Sequence, residues 1–474
     1  MKRVVIIGGG IAGLAAAHRL HEGNSSGKHQ VEVTLLEASS RLGGIVQTEV
    51  REGFLLERGP DSFISEKPAA LDLARRLGLE SCLIETNPDQ RRSFVVRGGQ
   101  LHPVPEGFQL LAPSKVLPFI RSDIFTWAGK ARMALDLVLP RREANGQTDE
   151  SLASFVRRRL GREALERMAQ PMVAGIYTAD PEQLSLRATL PRFLEMEAAD
   201  RSLILGMLKR GRKQSEALRR GTSGARYSLF LSFDRGMQVL TDRLAATLPA
   251  NTGRLNSPAL SLSFDRPAGT WCIKLTNSER ILADSVCVAV PAHVAANLLK
   301  ETDQPLAEEL GAIPFESTAT INLAYKRTAI DHPLNGFGFV VPFVEKRSMI
   351  ACTFSSVKFG GRAPEGCVLL RAFVGGALQP EMFELADDEL LRRVQHDLVD
   401  LLRVNGPPMF AEITRWWHSM PQYHLGHLDR VERINTRVAE LPGLALAGNS
   451  YTGPGIPDCV RSGEAAAETL VKQL

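Results

Sequence analysis

The sequence predicts a chain of mixed α/β and α+β class: a parallel-sheet domain, an antiparallel-sheet domain and a helical lobe. Three observations carry this. A strand, a glycine turn, a helix and a second strand follow one another within the first forty residues; residues 315–380 alternate apolar and polar; residues 110–235 are helical in character. At 474 residues the chain exceeds the size at which single cores usually split, so two or three domains are expected.

Taken in order, residues 3–7 are a β-branched strand, 13–22 a helix opened by the glycine turn, and 31–37 ("VEVTLLE") a second strand, which together form a parallel βαβ unit. A loop and hairpin precede a helix at about 68–78. In the lobe, Leu152, Phe155, Val156 and Leu160 share one helical face. The stretch from Lys209 to Arg226, with seven basic residues against one Glu, reads as solvated surface. Around 236–300 come a helix and two strands that are expected to rejoin the first sheet. "STATINLAY", "GFGFVVP" and "CVLLRAFVGG" predict an antiparallel sheet with one face against a pocket. The end is strand, glycine loop and alanine-rich helix. The expected division is residues 1–95 with 236–300 and 425–474, residues 96–110 with 301–424, and the lobe 111–235.

Gly8, Gly10 and Gly13 satisfy G-x-G-x-x-G between strand and helix, in the run Gly8, Gly9, Gly10, Ile11, Ala12, Gly13. Their tasks are a tight turn, close approach of backbone to a pyrophosphate, and close helix–strand packing, as in a Rossmann-like domain. Glu37 ends the second strand, placed for ribose hydroxyls and repelling a 2′-phosphate. The basic start and apolar run also fit a secretory signal. Cleavage after Ala17 would remove the strand that Glu37's strand needs as neighbour, so the segment reads as retained. FAD is preferred over NAD because "EASSRLGG" adds Arg41, Gly43 and Gly44, and "ERGPDSF" adds Gly59 and Ser62. A second loop-to-helix device then gives a helix N-terminus near Ile456, suited to a developing negative charge on the flavin.

Composition narrows the class. Apolar residues make up 44% and charged residues 23%, a globular profile, and no window approaches the roughly 18–20 apolar residues of a spanning helix. A net charge of +4, with no zinc-finger or RNA-binding signature, argues against nucleic acid. The six scattered cysteines read as reduced thiols of a cytoplasmic protein. His418, His424 and His427 lack companions for a metal site, and no G-x-S-x-G elbow supports hydrolysis.

"VVIIGGGIAGLAAA", "LLEASSRLGG", "GFLLERGPDSF" and "ALAGNSYTGPGIPDCVRSGEAAA" resemble the flavin-binding elements of the monoamine oxidase-like superfamily. "MAQPMVAGIYTADPEQLSLRATLPRF", "APEGCVLLRAFVGG" and "RWWHSMPQYHLGH" resemble its protoporphyrinogen and coproporphyrinogen oxidases, most of all the bacterial coproporphyrinogen III-oxidising type. The resemblance spans essentially the whole chain. It implies non-covalent FAD held by Gly8 to Gly13, Glu37, Ala38, Arg41, Gly44, Ile45, Gly59, Pro60, Asp61, Ser62, Ala259, Trp416, Gly455, Ile456, Pro457 and Asp458. It implies a porphyrinogen against Gly175, Ile176, Phe337, Val340 and Phe373, with hydride passing to the flavin and dioxygen as acceptor. Two departures stand out. Ala259 replaces a frequent valine at a backbone contact to adenine. The arginine that pairs a substrate propionate in mitochondrial and plastid enzymes falls on Ser93, with Arg92 beside it, which leaves the propionate anchor open. The resemblance leaves room for peripheral membrane contact and for a partner enzyme of the haem pathway. Alternatives are protoporphyrinogen IX as substrate, an amine oxidase or desaturase with covalent flavin at Cys459, and a flavin-free escort protein.

Overall fold

The structure, a computed structural model, describes residues 1–142, 149–210 and 229–474. Beyond Arg210, the basic stretch read as solvated surface lies outside the described residues.

A five-stranded parallel sheet organises the first half of the molecule. Its order is Gly253–Arg254, Val31–Leu36, Lys2–Ile7, Ser285–Val288 and Leu444–Leu446. Strands from three distant stretches therefore lie side by side. Both faces are covered, as all-parallel sheets require. On one side Val4, Ile6 and Leu35 bury against the helices Ile11–Ser25, Ala69–Arg76, Gln238–Thr247 and Ile456–Gln473. On the other, Val5, Ile7 and Val286 meet Trp271 and Ile273 and the helix Ala292–Leu299. The helices Ile11–Ser25 and Ile456–Gln473 touch backbone to backbone, because Gly463 has no side chain: a Cβ there would sit far inside contact distance of the Ala12 carbonyl oxygen.

One expectation needs correcting. Of the two strands around 236–300, only Ser285–Val288 rejoins the first sheet; Thr270–Leu275 pairs with Ala259–Asp265 and Arg280–Ala283 in a separate antiparallel sheet. Its alternating burial, with Trp271, Ile273 and Leu275 on one side, is that of a half-covered antiparallel strand and not of a central parallel one.

The second large sheet has seven strands, in the order Phe410–Pro421, Phe315–Lys326, Cys367–Gly375, Ala351–Phe354, Gly338–Val340, Phe94–Arg97 and Gln100–Pro103. It is antiparallel except where Gly338–Val340 runs parallel to Phe94–Arg97. Ile321, Leu323, Leu370, Ala372 and Phe339 face the helix Asp387–Leu402, whose Leu390, Val394 and Leu398 complete that core. The opposite face is left for the site.

The helical lobe packs around Phe155, Val156, Leu160, Met168 and Phe193. Phe230–Phe233, inside the stretch read as helical, is a strand pairing with Phe63–Ile64 and Leu83–Glu85. The segment Arg162–Tyr177 runs as one continuous helix with a π turn at Leu165–Ala169. Pro171 explains the bulge: it lacks the amide that would close the regular turn onto Arg167, and the chain widens instead. No helix among the described residues is long and apolar enough to cross a membrane.

Candidate active site

The glycine turn is fixed by backbone contacts. Gly8 has φ +107°, its amide donates to the Leu36 carbonyl at 2.8 Å, and a Cβ on it would lie 2.5 Å from the Ala289 carbonyl oxygen. A Cβ on Gly13 would collide with the Gly8 carbonyl oxygen, so the helix can start tight against the strand only with glycine at both places. Gly10 differs: a Cβ there would meet no atom within 4 Å. The helix N-terminus thus opens onto free space, with Ile11 and Ala12 in its first turn, and the dipole and free amides favour an anion there. The Gly43 amide donates to the Gly9 carbonyl at 2.8 Å, and Gly44, at φ +58°, lies against Gly10, so "RLGG" becomes a second wall.

Glu37 is anchored at both oxygens, by the Gly9 amide at 2.7 Å and the Ser39 amide at 2.8 Å. Each carboxylate oxygen retains acceptor capacity for a ribose hydroxyl. Exposed Ala38 follows it, and the Ser257 amide donates to the Glu37 carbonyl at 2.8 Å, which brings the chain leading to Ala259 alongside. Arg41 turns its guanidinium onto the carbonyls of Leu42, Gly44 and Val46, stapling its own loop. Ile45 stays exposed, and its carbonyl packs under Gly59, where a Cβ would clash. The residues present fit a dinucleotide cofactor.

The sheet then grips the segment Glu57–Gly59. The Arg58 carbonyl accepts from Trp416 Nε1 at 2.9 Å, Thr320 Oγ1 at 3.0 Å and Arg371 at 3.4 Å; Asn322 Nδ2 donates to the Glu57 carbonyl at 3.1 Å, and Arg371 also donates to the Gly59 carbonyl. After Pro60, Asp61 pairs with Lys358 at 2.9 Å and accepts from Ser62 Oγ at 2.7 Å. Burial disfavours the Asp61 charge, but the Lys358 ammonium and the Arg371 guanidinium outweigh it and hold the carboxyl far below its ordinary range. At the last helix, Gly455, Ile456 and Pro457 open the first turn, and buried Asp458 is held by Lys67 at 2.6 Å and Arg461 at 3.0 Å. Cys459 is buried behind it, with its thiol pushed up to about 12 by burial.

Register defines the other wall. Thr414, Thr320, Phe373, Ala351, Val340 and Val95 are directly opposed across six strands, so they share one face. This is the face that holds Glu57–Gly59, and Arg371, two residues before Phe373, lays its guanidinium 4.9 Å from the Phe373 ring centroid. The helix Gln170–Tyr177 comes down on the same row: a Cβ on Gly175 would be 4.0 Å from Val340 Cγ1. Gly175 and Ile176 are exposed. Burial, with the charge of Asp458, pushes the Tyr177 phenol up to about 12, which ties the end of this helix to the Gly455–Asp458 turn. Phe337 lies just before the strand Gly338–Val340 and outside the row, and its amide donates to the Arg92 carbonyl at 2.7 Å.

Four residues that sequence reasoning passed over, Thr320, Asn322, Lys358 and Arg371, bind the Glu57–Ser62 loop directly. The signal was present for two of them: Asn322 and Arg371 are lone polar residues inside otherwise apolar strands.

The chain matches the flavin containing amine oxidoreductase family over residues 11–471. It is 36% identical to the coproporphyrinogen III oxidase of Bacillus subtilis over 474 residues, covering 100% of this chain and 98% of that protein. It is 32% identical to the protoporphyrinogen oxidase of Bos taurus, covering 99% and 98%. Among solved structures, one from Exiguobacterium sp. 255-15, whose description also names a protoporphyrinogen oxidase, aligns with a TM-score of 0.86 at 33% identity, covering 100% and 99%. A reduced UDP-galactopyranose mutase shares the fold at 18% identity, with a TM-score of 0.72. The chain belongs to the flavin containing amine oxidoreductase family, in the group of the coproporphyrinogen III and protoporphyrinogen oxidases.

Proposed function

We propose that this protein oxidises coproporphyrinogen III to coproporphyrin III with non-covalent FAD, dioxygen being reduced to hydrogen peroxide. The observation that carries the reading is the helix Gln170–Tyr177, whose side-chain-free Gly175 faces Val340 of the Val340–Phe373 row, on the sheet face that also grips the Arg58 carbonyl. A glycine surface facing an aliphatic and an aromatic side chain suits a flat tetrapyrrole edge.

When bound, the flavin supplies the two-electron acceptor, taking hydride at N5. Gly8, Gly10, Gly13, Gly44 and Glu37 hold its dinucleotide half. Gly59–Ser62, Trp416 and Gly455–Asp458 frame the ring half, and buried Cys459, with its thiol kept protonated, supports a non-covalent cofactor. Gly175, Ile176, Val340 and Phe373 orient the macrocycle and exclude water, with Phe337 at the rim. Six hydrogens leave the substrate, two per cycle, so three dioxygen molecules are consumed and three hydrogen peroxide molecules released. The pyrrole nitrogens push the electrons and their protons go to solvent, which removes the need for a strong protein base. The reading includes the three-part division given above, a cytoplasmic location and a haem-pathway context.

Anaerobic mixing tests it. Coproporphyrinogen III bleaches the yellow protein, and oxygen restores the colour as porphyrin fluorescence grows. A flavin that ignores coproporphyrinogen III sinks the proposal. The bovine relative favours protoporphyrinogen IX as the second reading, and comparative turnover on the two substrates decides between them.

A further inference from the structure

Three cations, Arg371, Arg362 and Lys358, cluster behind the Gly59–Ser62 loop with three carboxylates, Glu57, Asp61 and Asp234. Lys358 is neutralised by Asp61 at 2.9 Å. Arg362 is spent on the carbonyls of Phe233 and Asp234 and on Ser232 Oγ, at 2.8, 3.1 and 3.0 Å. Glu57 accepts from the Met237 amide and Thr48 Oγ1, both at 2.8 Å, and burial pushes its carboxyl up. Arg371 is the remaining cation. It is 3% exposed, its hydrogen bonds go only to the carbonyls of Arg58 and Gly59, and its Nε is buried with no partner. A buried guanidinium that Asp61 and Glu57 act on only at a distance, with no direct ion pair among the described residues, is expensive to keep. It sits behind the Arg58 and Gly59 carbonyls and against the Phe373 ring, which on the flavin reading of this loop places it beside the ring that gains negative charge on reduction.

We propose that Arg371 is the charge that sets the flavin's reduction potential, raising it so that hydride leaves the substrate readily. The proposal rests on the flavin reading of the Gly59–Ser62 loop, and it assigns to this chain a residue for which the sequence motifs give no role. A fixed charge near the ring acts through the low dielectric of the loop–sheet interface, where it is poorly screened.

Wild-type holoenzyme and the variants R371M, R371K and D61N are compared by anaerobic dye-equilibrated reduction and by titration with sulfite, which adds to flavin N5. R371M disfavours reduction at least tenfold, about 30 mV for a two-electron couple, and weakens the sulfite adduct by a similar factor. R371K stays within threefold of wild type. D61N, which frees the Lys358 charge, shifts both quantities the other way. A flavin-loaded R371M with wild-type potential, an R371K that falls as far as R371M, or a D61N that leaves the potential unmoved overturns the proposal. Where R371M is purified without flavin, R371Q is read in its place, and a wild-type potential in it overturns the proposal in the same way. None of these readings uses a porphyrinogen, so failure of the substrate proposal leaves them intact.

Discussion

The glycines of the Gly8–Gly13 turn and Gly175 on the helix Gln170–Tyr177 look alike in sequence and differ in what surrounds them. Gly8, Gly13 and Gly463 face backbone, and an added Cβ at each would meet a carbonyl oxygen. Gly10 faces nothing within 4 Å, and Gly175 only Val340 at ordinary contact distance. The first kind lets chain pack on chain; the second is not required by packing, and a side chain there would test what the position serves.

This comparison breaks most visibly at Gly13. Gly13→Ala forces its Cβ into the Gly8 carbonyl with no flexible neighbour to yield, and the cost exceeds the ~1–3 kcal/mol of ordinary overpacking. Thermal unfolding of the purified protein should fall by many degrees, and a melting point within a degree of wild type would contradict the assignment. Gly10→Val is expected to separate fold from ligand: its φ of −70° suits any residue, so the flavin-free protein melts as wild type. Flavin affinity drops about a hundredfold, roughly 2.8 kcal/mol, read from the ratio of absorbance at 450 and 280 nm after dialysis.

Gly175→Leu should leave flavin content and melting unchanged while KM for coproporphyrinogen III rises about tenfold, near 1.4 kcal/mol. An unchanged KM would place the substrate elsewhere. The smallest effect is on pH dependence. The folded-state pKa of Asp61 is depressed, so its contribution to stability is complete above the ordinary carboxylate range and is lost as pH falls below it. Melting followed downward from neutral pH should therefore decline less steeply in Asp61→Asn than in wild type, with the difference confined to acid.

The two regions also differ in how far the sequence discloses them. The phosphate turn lies within a few residues and one neighbouring strand, so G-x-G-x-x-G and Glu37 specify it by spacing alone. Strand periodicity likewise placed Phe373 and Val340 on strands, but their meeting depends on five register pairings across six strands. A slip of one residue in any of them would turn the row to the other face. The same limit explains the strand Thr270–Leu275: its alternation already marked a half-covered strand, but which strands it pairs with depends on register that sequence does not show. It also explains Arg159: it follows Phe155 by one helical turn on the buried face of Leu152–Arg159, and nothing in "VRRRL" singles out the arginine that pairs with Asp136 at zero exposure.

By itself the sequence determined most of the elements, the G-x-G-x-x-G turn with Glu37 and the family, because each is written in residues close along the chain or in motifs spanning its length. Only the tertiary structure decided which glycines face backbone and which do not, that Val340 and Phe373 share a row under Gly175, and that Arg371 is buried behind the Arg58 and Gly59 carbonyls. Those are facts about register and desolvation, and they exist only once distant strands have been brought together and water has been excluded from between them.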